Sequence, residues 1–144
     1  MTPRDPFAPH ALAAAAAFVL AGCADAQLAT PAFPVGPTYA WLGTDVGAAR
    51  PTAPADPTRY TVQFDAAGRA TLRLDCNRGS AQWTRDGGKL ALSSIASTKM
   101  MCAADSLDAA FAAGLAQVAG WRVDDGILVL SGRDGSTMRF RTLP

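Results

Sequence analysis

Few side chains in this sequence are equipped for polar chemistry, and their types limit it sharply. There is one histidine, His10, and no glutamate; all twelve acids are aspartate. His10 falls in what reads as a leader, so the rest of the chain has no imidazole. That excludes Ser–His–Asp and Cys–His nucleophilic sites, and zinc sites built on histidine. The remaining candidates are aspartates, two lysines, two tyrosines, hydroxyls and cysteines. Asp124 and Asp125 are adjacent carboxylates, a pairing that acid–base work can use, but Gly126 follows and the trio reads as a hairpin turn. Lys89 sits beside Gly87–Gly88, where water keeps it charged. Lys99 is flanked by Met100 and Met101; desolvation there would lower its pKa and make it a base. The ordinary expectation is that Lys99 points to water and that one methionine is core and its neighbour rim. Thr98 to Met101 reads alternatively as a soft, adaptable contact surface. Asn77–Arg78 pairs an amide with a fork suited to carboxylate or phosphate. The competing reading makes Asn77 a turn residue in left-handed geometry and leaves Arg78 in solvent. No catalytic centre, metal or cofactor is expected from this inventory.

The beginning of the sequence bears on location. An apolar run, Ala11 to Leu20, follows a short leader containing Arg4 and Asp5. About ten residues is the length of a signal-peptide core and well short of the ~20 needed to span a bilayer. The run closes on Leu20-Ala21-Gly22-Cys23, which resembles the lipobox of bacterial lipoproteins. The resemblance implies that residues 1–22 are a signal peptide, that Cys23 carries lipid, and that Ala24 behind it directs the protein to the periplasmic face of the outer membrane. Two or three acyl chains hold a protein stably, at about 0.8 kcal/mol per buried methylene. The alternative is an ordinary signal peptide with Cys23 incidental.

Removing 22 of the 144 residues leaves 122, enough for one domain with one core. Twelve basic and eleven acidic residues remain, a balance that argues against a nucleic-acid partner. With Cys23 assigned to lipid, Cys76 and Cys102 are left. In an oxidising compartment they read as one disulfide, closing about 27 residues. Two buried free thiols or a redox pair are the alternatives, although redox pairs usually sit as C-x-x-C.

Residues 23–38, with Pro31, Pro34 and Pro37, read as the lipidated cysteine and an extended tether without a core of its own. From Tyr39 the pattern becomes that of strands. Tyr39 to Val46 opens the domain, and Pro51, Pro54 and Pro57 then bar regular structure. Tyr60, Val62 and Phe64 alternate with polar residues, as do Ala70, Leu72 and Leu74, so the two runs read as a hairpin. Asn77-Arg78-Gly79 breaks the pattern, and strands resume around Trp83, at Leu90 and Leu92, from Trp121 to Val123, from Ile127 to Leu130, and at Met138 and Phe140. Leu107, Phe111, Leu115 and Val118 recur at helical spacing, with Asp105 or Ser106 as N-cap and Gly120 as C-cap, a helix of about 105–119. The count is about eight short strands and one packed helix over 39–144, predicting an antiparallel, β-dominated α+β domain. At least two of Trp41, Trp83 and Trp121 should be core. Arg69, Arg73, Arg139 and Arg141 alternate on strands; they are either one solvated outer face or a basic surface for anionic lipid or glycan.

Several of these features occur together in one family. Asp75-Cys76-Asn77-Arg78-Gly79, followed by Ser97-Thr98-Lys99-Met100-Met101-Cys102 before a helix, resembles the META domain (HslJ-like) family. Trp41 in the first strand, Phe64-Asp65 at a strand end, both cysteines, and Leu128, Leu130 and Gly135 extend the resemblance over about 39–143. Met101 departs from the family's usual Met-Ala-Cys, and Asp108 stands where an early helical glutamate is common. The resemblance implies a β-rich envelope protein with links to stress and antimicrobial tolerance, and no defined reaction. The expected role is non-enzymatic: binding an envelope protein or glycan, or stabilising the envelope, from a lipid anchor. A periplasmic inhibitor of a cell-wall hydrolase is the alternative. The candidate surface is Asn77, Arg78, Thr98, Lys99, Met100 and Met101.

Overall fold

A computed structural model of the chain describes residues 31–144. The signal segment, Cys23 and the tether up to residue 30 lie outside the described residues. Nine strands and one helix follow in order: β1 Thr38–Asp45, β2 Tyr60–Phe64, β3 Arg69–Leu74, β4 Asn77–Asp86, β5 Lys89–Leu92, β6 Ala96–Ser97, α1 Asp108–Gln117, β7 Val118–Asp124, β8 Ile127–Gly132 and β9 Thr137–Thr142.

Eight of the strands close on one another. Each of β1 to β4 pairs antiparallel with its successor, β5 then meets β7, and β7, β8 and β9 continue the meander. β9 returns to β1 from Tyr39↔Thr142 to Asp45↔Thr137, with a bulge between Trp41 and Gly43. The result is an up-and-down β-barrel. This corrects the α+β expectation of a sheet with a helix packed against it. Ten helical residues are too few to form a second layer, and the first and last strands satisfy each other's edges instead. The two-residue β6 lies along the first half of β4, the stretch that β5 does not reach. Gly79 is there by necessity: a Cβ would meet the Ala96 carbonyl and Leu74 Cδ1, each at 3.0 Å.

An eight-stranded barrel is just wide enough for side chains to fill, and the alternating residues fill this one. Tyr60, Val62, Phe64, Ala70, Leu72 and Leu74 point in, while Thr61, Gln63 and Thr71 point out. Two plugs close the ends. At the end where β1, β3 and β8 finish, α1 inserts Phe111 and Leu115, both fully buried. Phe111 packs on Trp41, Tyr60 and Phe140, with ring centroids 5.2–6.2 Å apart. At the opposite end Phe33, 4% exposed, meets Phe64, Trp83 and Trp121 at about 5 Å. Phe33 belongs to the stretch read as a tether without a core; the segment Pro31–Pro37 is bound to the barrel, with Gly36 donating to the Phe64 carbonyl and accepting from Gln63. Trp41 and Trp121 are core and Trp83 is half-buried.

The helix boundaries also differ from expectation. Its N-cap is Leu107, whose amide donates to Tyr60 Oη at 2.9 Å; Ser106 Oγ accepts from the Asp108 amide at 3.3 Å and donates to Asp108 Oδ1 at 3.4 Å. α1 ends at Gln117, and Gly120 is a strand residue of β7, because pairing with β8 outcompetes another helical turn. Asn77-Arg78-Gly79 likewise does not break the strands. The turn is Asp75–Cys76, with Asp75 at φ +58°, and β4 starts at Asn77.

Candidate functional site

At the α1 end, two segments distant in sequence are bound together through Asn77. The side chain is buried and fully engaged. Its Oδ1 accepts from Thr98 Oγ1 and from the Met100 amide, both at 2.8 Å. Its Nδ2 donates to the Met100 carbonyl at 3.1 Å and approaches Asp108 Oδ2 at 3.3 Å and Cys102 Sγ at 3.4 Å. Thr98 Oγ1 in turn accepts from the Arg78 amide, and the Thr98 amide donates to the Arg78 carbonyl. Cys76 and Cys102 are disulfide-bonded, with Cα atoms 5.6 Å apart. Closing a loop of this size contributes about 3–4 kcal/mol in the chain-entropy account. The β3–β4 turn, the 98–102 segment and the start of α1 thus form one unit.

Asn77 spends its amide on the protein itself and has none left for a ligand. What the unit presents is the loop it holds. Met101 is 99% exposed and Met100 59% exposed, with Lys99 also at the surface. The expectation that one methionine would be core is therefore wrong. Asn77 takes both polar groups of the Met100 backbone, which turns the loop outward and leaves neither side chain a place in the filled barrel. Beneath the loop lies a cavity of about 180 Å³ bordered by Leu74, Thr98, Lys99, Asp108 and Ala112.

Arg78 leaves this unit. Its side chain lies on the barrel's outer face and donates to the Asp75 and Asn77 carbonyls. Asp75, buried, is bound by Arg59 through Nε at 2.6 Å and through a second contact from Nη2. The Asp75 hydrogen bond holds the Arg59 guanidinium above its ordinary value. Asp56 and Asp134 are held below the usual carboxylate range by bonds from the hydroxyls and amides of Thr58 and Ser136. Burial pushes the Tyr39 phenol up. These groups stand apart, each serving a local turn or strand. Asp124 binds Arg122 at 2.6 Å, and Asp125 occupies the β7–β8 turn at φ +48°. Of the four strand arginines, Arg69 and Arg73 lie on β3, whereas Arg139 pairs with Asp45 and shares β9 with Arg141; β1 and β2 separate the pairs. Tyr60, which braces the unit by accepting from the Leu107 amide, carries no signal of that role in the sequence; Asp108 is signalled there through the family resemblance.

A family model described as the META domain matches residues 37–143. Among solved structures, a protein from Burkholderia xenovorans determined by NMR is similar at 17% identity, with 76% of this chain and 83% of that one covered and a TM-score of 0.63. A duf4847 family protein from Bacteroides vulgatus is similar at 16% identity, covering 73% of this chain and 91% of that one, with a TM-score of 0.53. Another NMR structure is 20% identical over 73% of this chain and 87% of that one, TM-score 0.55. At these identities the likeness is one of fold. No curated protein sequence matches significantly.

Proposed function

Because the chain belongs to the META domain family, we propose that it is a non-enzymatic envelope protein, lipid-anchored through Cys23 on the periplasmic face of the outer membrane, that binds a partner protein through the Met100–Met101 loop. The observation that carries this reading is the rigid presentation of two exposed methionines by Asn77 and the Cys76–Cys102 bond. Exposing a large apolar side chain on a braced loop forgoes burial worth about 1.5–3 kcal/mol, and a partner's pocket recovers it. Methionine suits such a contact because it is flexible and polarizable.

The two plugs support the same orientation. Phe33 enters at the end opposite α1, so the tether reaches the barrel there. Between Cys23 and Phe33 lie about nine residues, at most roughly 30 Å of chain. An anchored barrel would set its Phe33 end toward the membrane and its methionine loop away from it, toward the periplasm. A second reading rests on the same loop: a stiff, disulfide-braced loop with a protruding side chain suits an inhibitor that plugs a cell-wall hydrolase.

Fatty-acid labelling and affinity capture from detergent-solubilised envelopes test the proposal. Wild type should take up label and Cys23→Ser should not. The Met100→Ser/Met101→Ser variant should lose a protein that wild type captures while keeping its melting temperature. Unlabelled wild type, or capture unaffected by the double variant, would reject the respective halves. Loss of inhibition of a purified hydrolase by Met101→Ser would favour the inhibitor.

A further inference from the structure

The outer face of β2, β3 and β4 carries an arrangement that the methionine loop does not use. Thr61, Arg73 and Arg78 are cross-strand partners in one row. Two arginines therefore stand directly opposite each other, where Cβ atoms are about 4.5–5.5 Å apart and like charges destabilise the pair. Neither takes part in an ion pair among the described residues. Arg73 is half-buried, and its Nε–H is buried without a hydrogen-bond partner. An unpaired buried donor on a charged group costs free energy. Asp56 accepts two bonds from Thr58, and Asp75 is bound by Arg59 through Oδ1 while its Oδ2 is buried without a partner; neither acid forms an ion pair with Arg73 or Arg78. Around the two arginines lies a depression of about 250 Å³, bordered also by Thr38, Thr61, Gln63 and Thr71.

We propose that this depression is an oxyanion site for a phosphate group, with Arg73 and Arg78 as its two charged forks. A dianion between them turns the cross-strand repulsion into attraction and gives the Arg73 Nε–H an acceptor. Guanidinium forks match two phosphate oxygens at once, and the hydroxyls of the bordering threonines suit the remaining ones. Both arginines lie near the α1 end of their strands, and the depression runs from them to Thr38 and Gln63 at the Phe33 end. The ligand chemistry is that of a phosphate group, whether free, on a glycan or on a lipid headgroup. The site is independent of the partner-binding loop.

The test is titration of the full chain with inorganic phosphate, against chloride at equal ionic strength, following the arginine Nε–Hε resonances. Those of Arg73 and Arg78 should move together while that of Arg122 stays. Arg73→Gln should bind at least tenfold more weakly, and Arg73→Lys should recover only part of the loss. Melting separates lost binding from lost fold. Without phosphate, Arg73→Gln should melt at or above wild type, since one of two opposed charges is gone, and phosphate should raise the melting temperature of wild type alone. If Arg73→Gln does not fold, Arg78→Gln gives the same readings. A short-chain phosphatidic acid in place of phosphate identifies the source: tighter binding assigns a lipid headgroup, equal binding a soluble phosphate. Unmoved Arg73 and Arg78 resonances with both probes, or undiminished binding by a folded glutamine variant, would overturn the proposal.

Discussion

Asn77 shows how one side chain substitutes for a run of regular structure. The segment from Thr98 to Cys102 belongs to no helix or strand, so its backbone groups need partners from elsewhere. Asn77 supplies one acceptor to the Met100 amide and one donor to the Met100 carbonyl. Asn77→Ala removes the side-chain partner of both, and the Thr98 hydroxyl proton loses its acceptor. An expected loss of about 2–4 kcal/mol follows from that many orphaned groups. Urea unfolding should show it as a lower midpoint with an unchanged slope. A loss under 0.5 kcal/mol would mean that water replaces the amide without cost. The pattern Cys-Asn-Arg in the sequence marked this position, but as a turn residue. Only the pairing Leu74↔Asn77 shows that it is the first residue of a strand with its side chain directed inward.

Among the elements, the segment before β1 is the least expected contributor. Pro31, Pro34 and Pro37 keep helix and strand ladders out of it, since proline restricts the backbone and removes donors. Proline spacing says nothing of whether the residue between is buried. Phe33 is, against three aromatic rings in edge-on or tilted contact. Phe33→Ala should cost about 3–5 kcal/mol, the usual range for an aromatic core truncation. Because Trp83 and Trp121 flank the ring, their fluorescence should shift toward that of solvent-exposed indole. Unfolding monitored by fluorescence checks both effects, and a stable variant with unshifted emission would show that Phe33 only rests on the barrel. α1 presents the complementary case. Its apolar spacing was legible, and Phe111 and Leu115 are the buried pair, yet its ends were misplaced by two to three residues because Tyr60 and the β7–β8 ladder set them.

For the molecule as a whole, closure is unequal around the barrel. β1 and β9 are registered along almost their full lengths, whereas β5 and β7 share the single pair Lys89↔Gly120, reinforced by Trp121 donating from its amide to Gly88 and from its indole to Gly87. Local opening begins where few hydrogen bonds must break. Native-state amide exchange should therefore be fastest among the barrel strands at β5 and the facing edge of β7, and slowest at β1 and β9. Equal protection at the two seams would contradict this. β6 and the methionine loop continue along the same edge of β4 as β5, so the bonds from Asn77 and the disulfide are what hold the loop when that seam opens.

Alternation at every second residue is a local consequence of strand geometry, and for that reason the strands, most of the core and the outward arginines could be read from the chain alone. So could the chemical poverty of the sequence, since residue types need no fold to be counted, and the family, since its motifs are short runs that can be matched without a fold. Closure could not be read. Whether β9 pairs with β1 depends on the accumulated twist and stagger of every strand between them, which no single window contains. Arg73 faces Arg78 across a tight hairpin at Asp75–Cys76, where the sequence pattern reads as a break in the strands. Met100 and Met101 are turned outward by Asn77, whose reach to a segment more than twenty residues away exists only once the chain has folded.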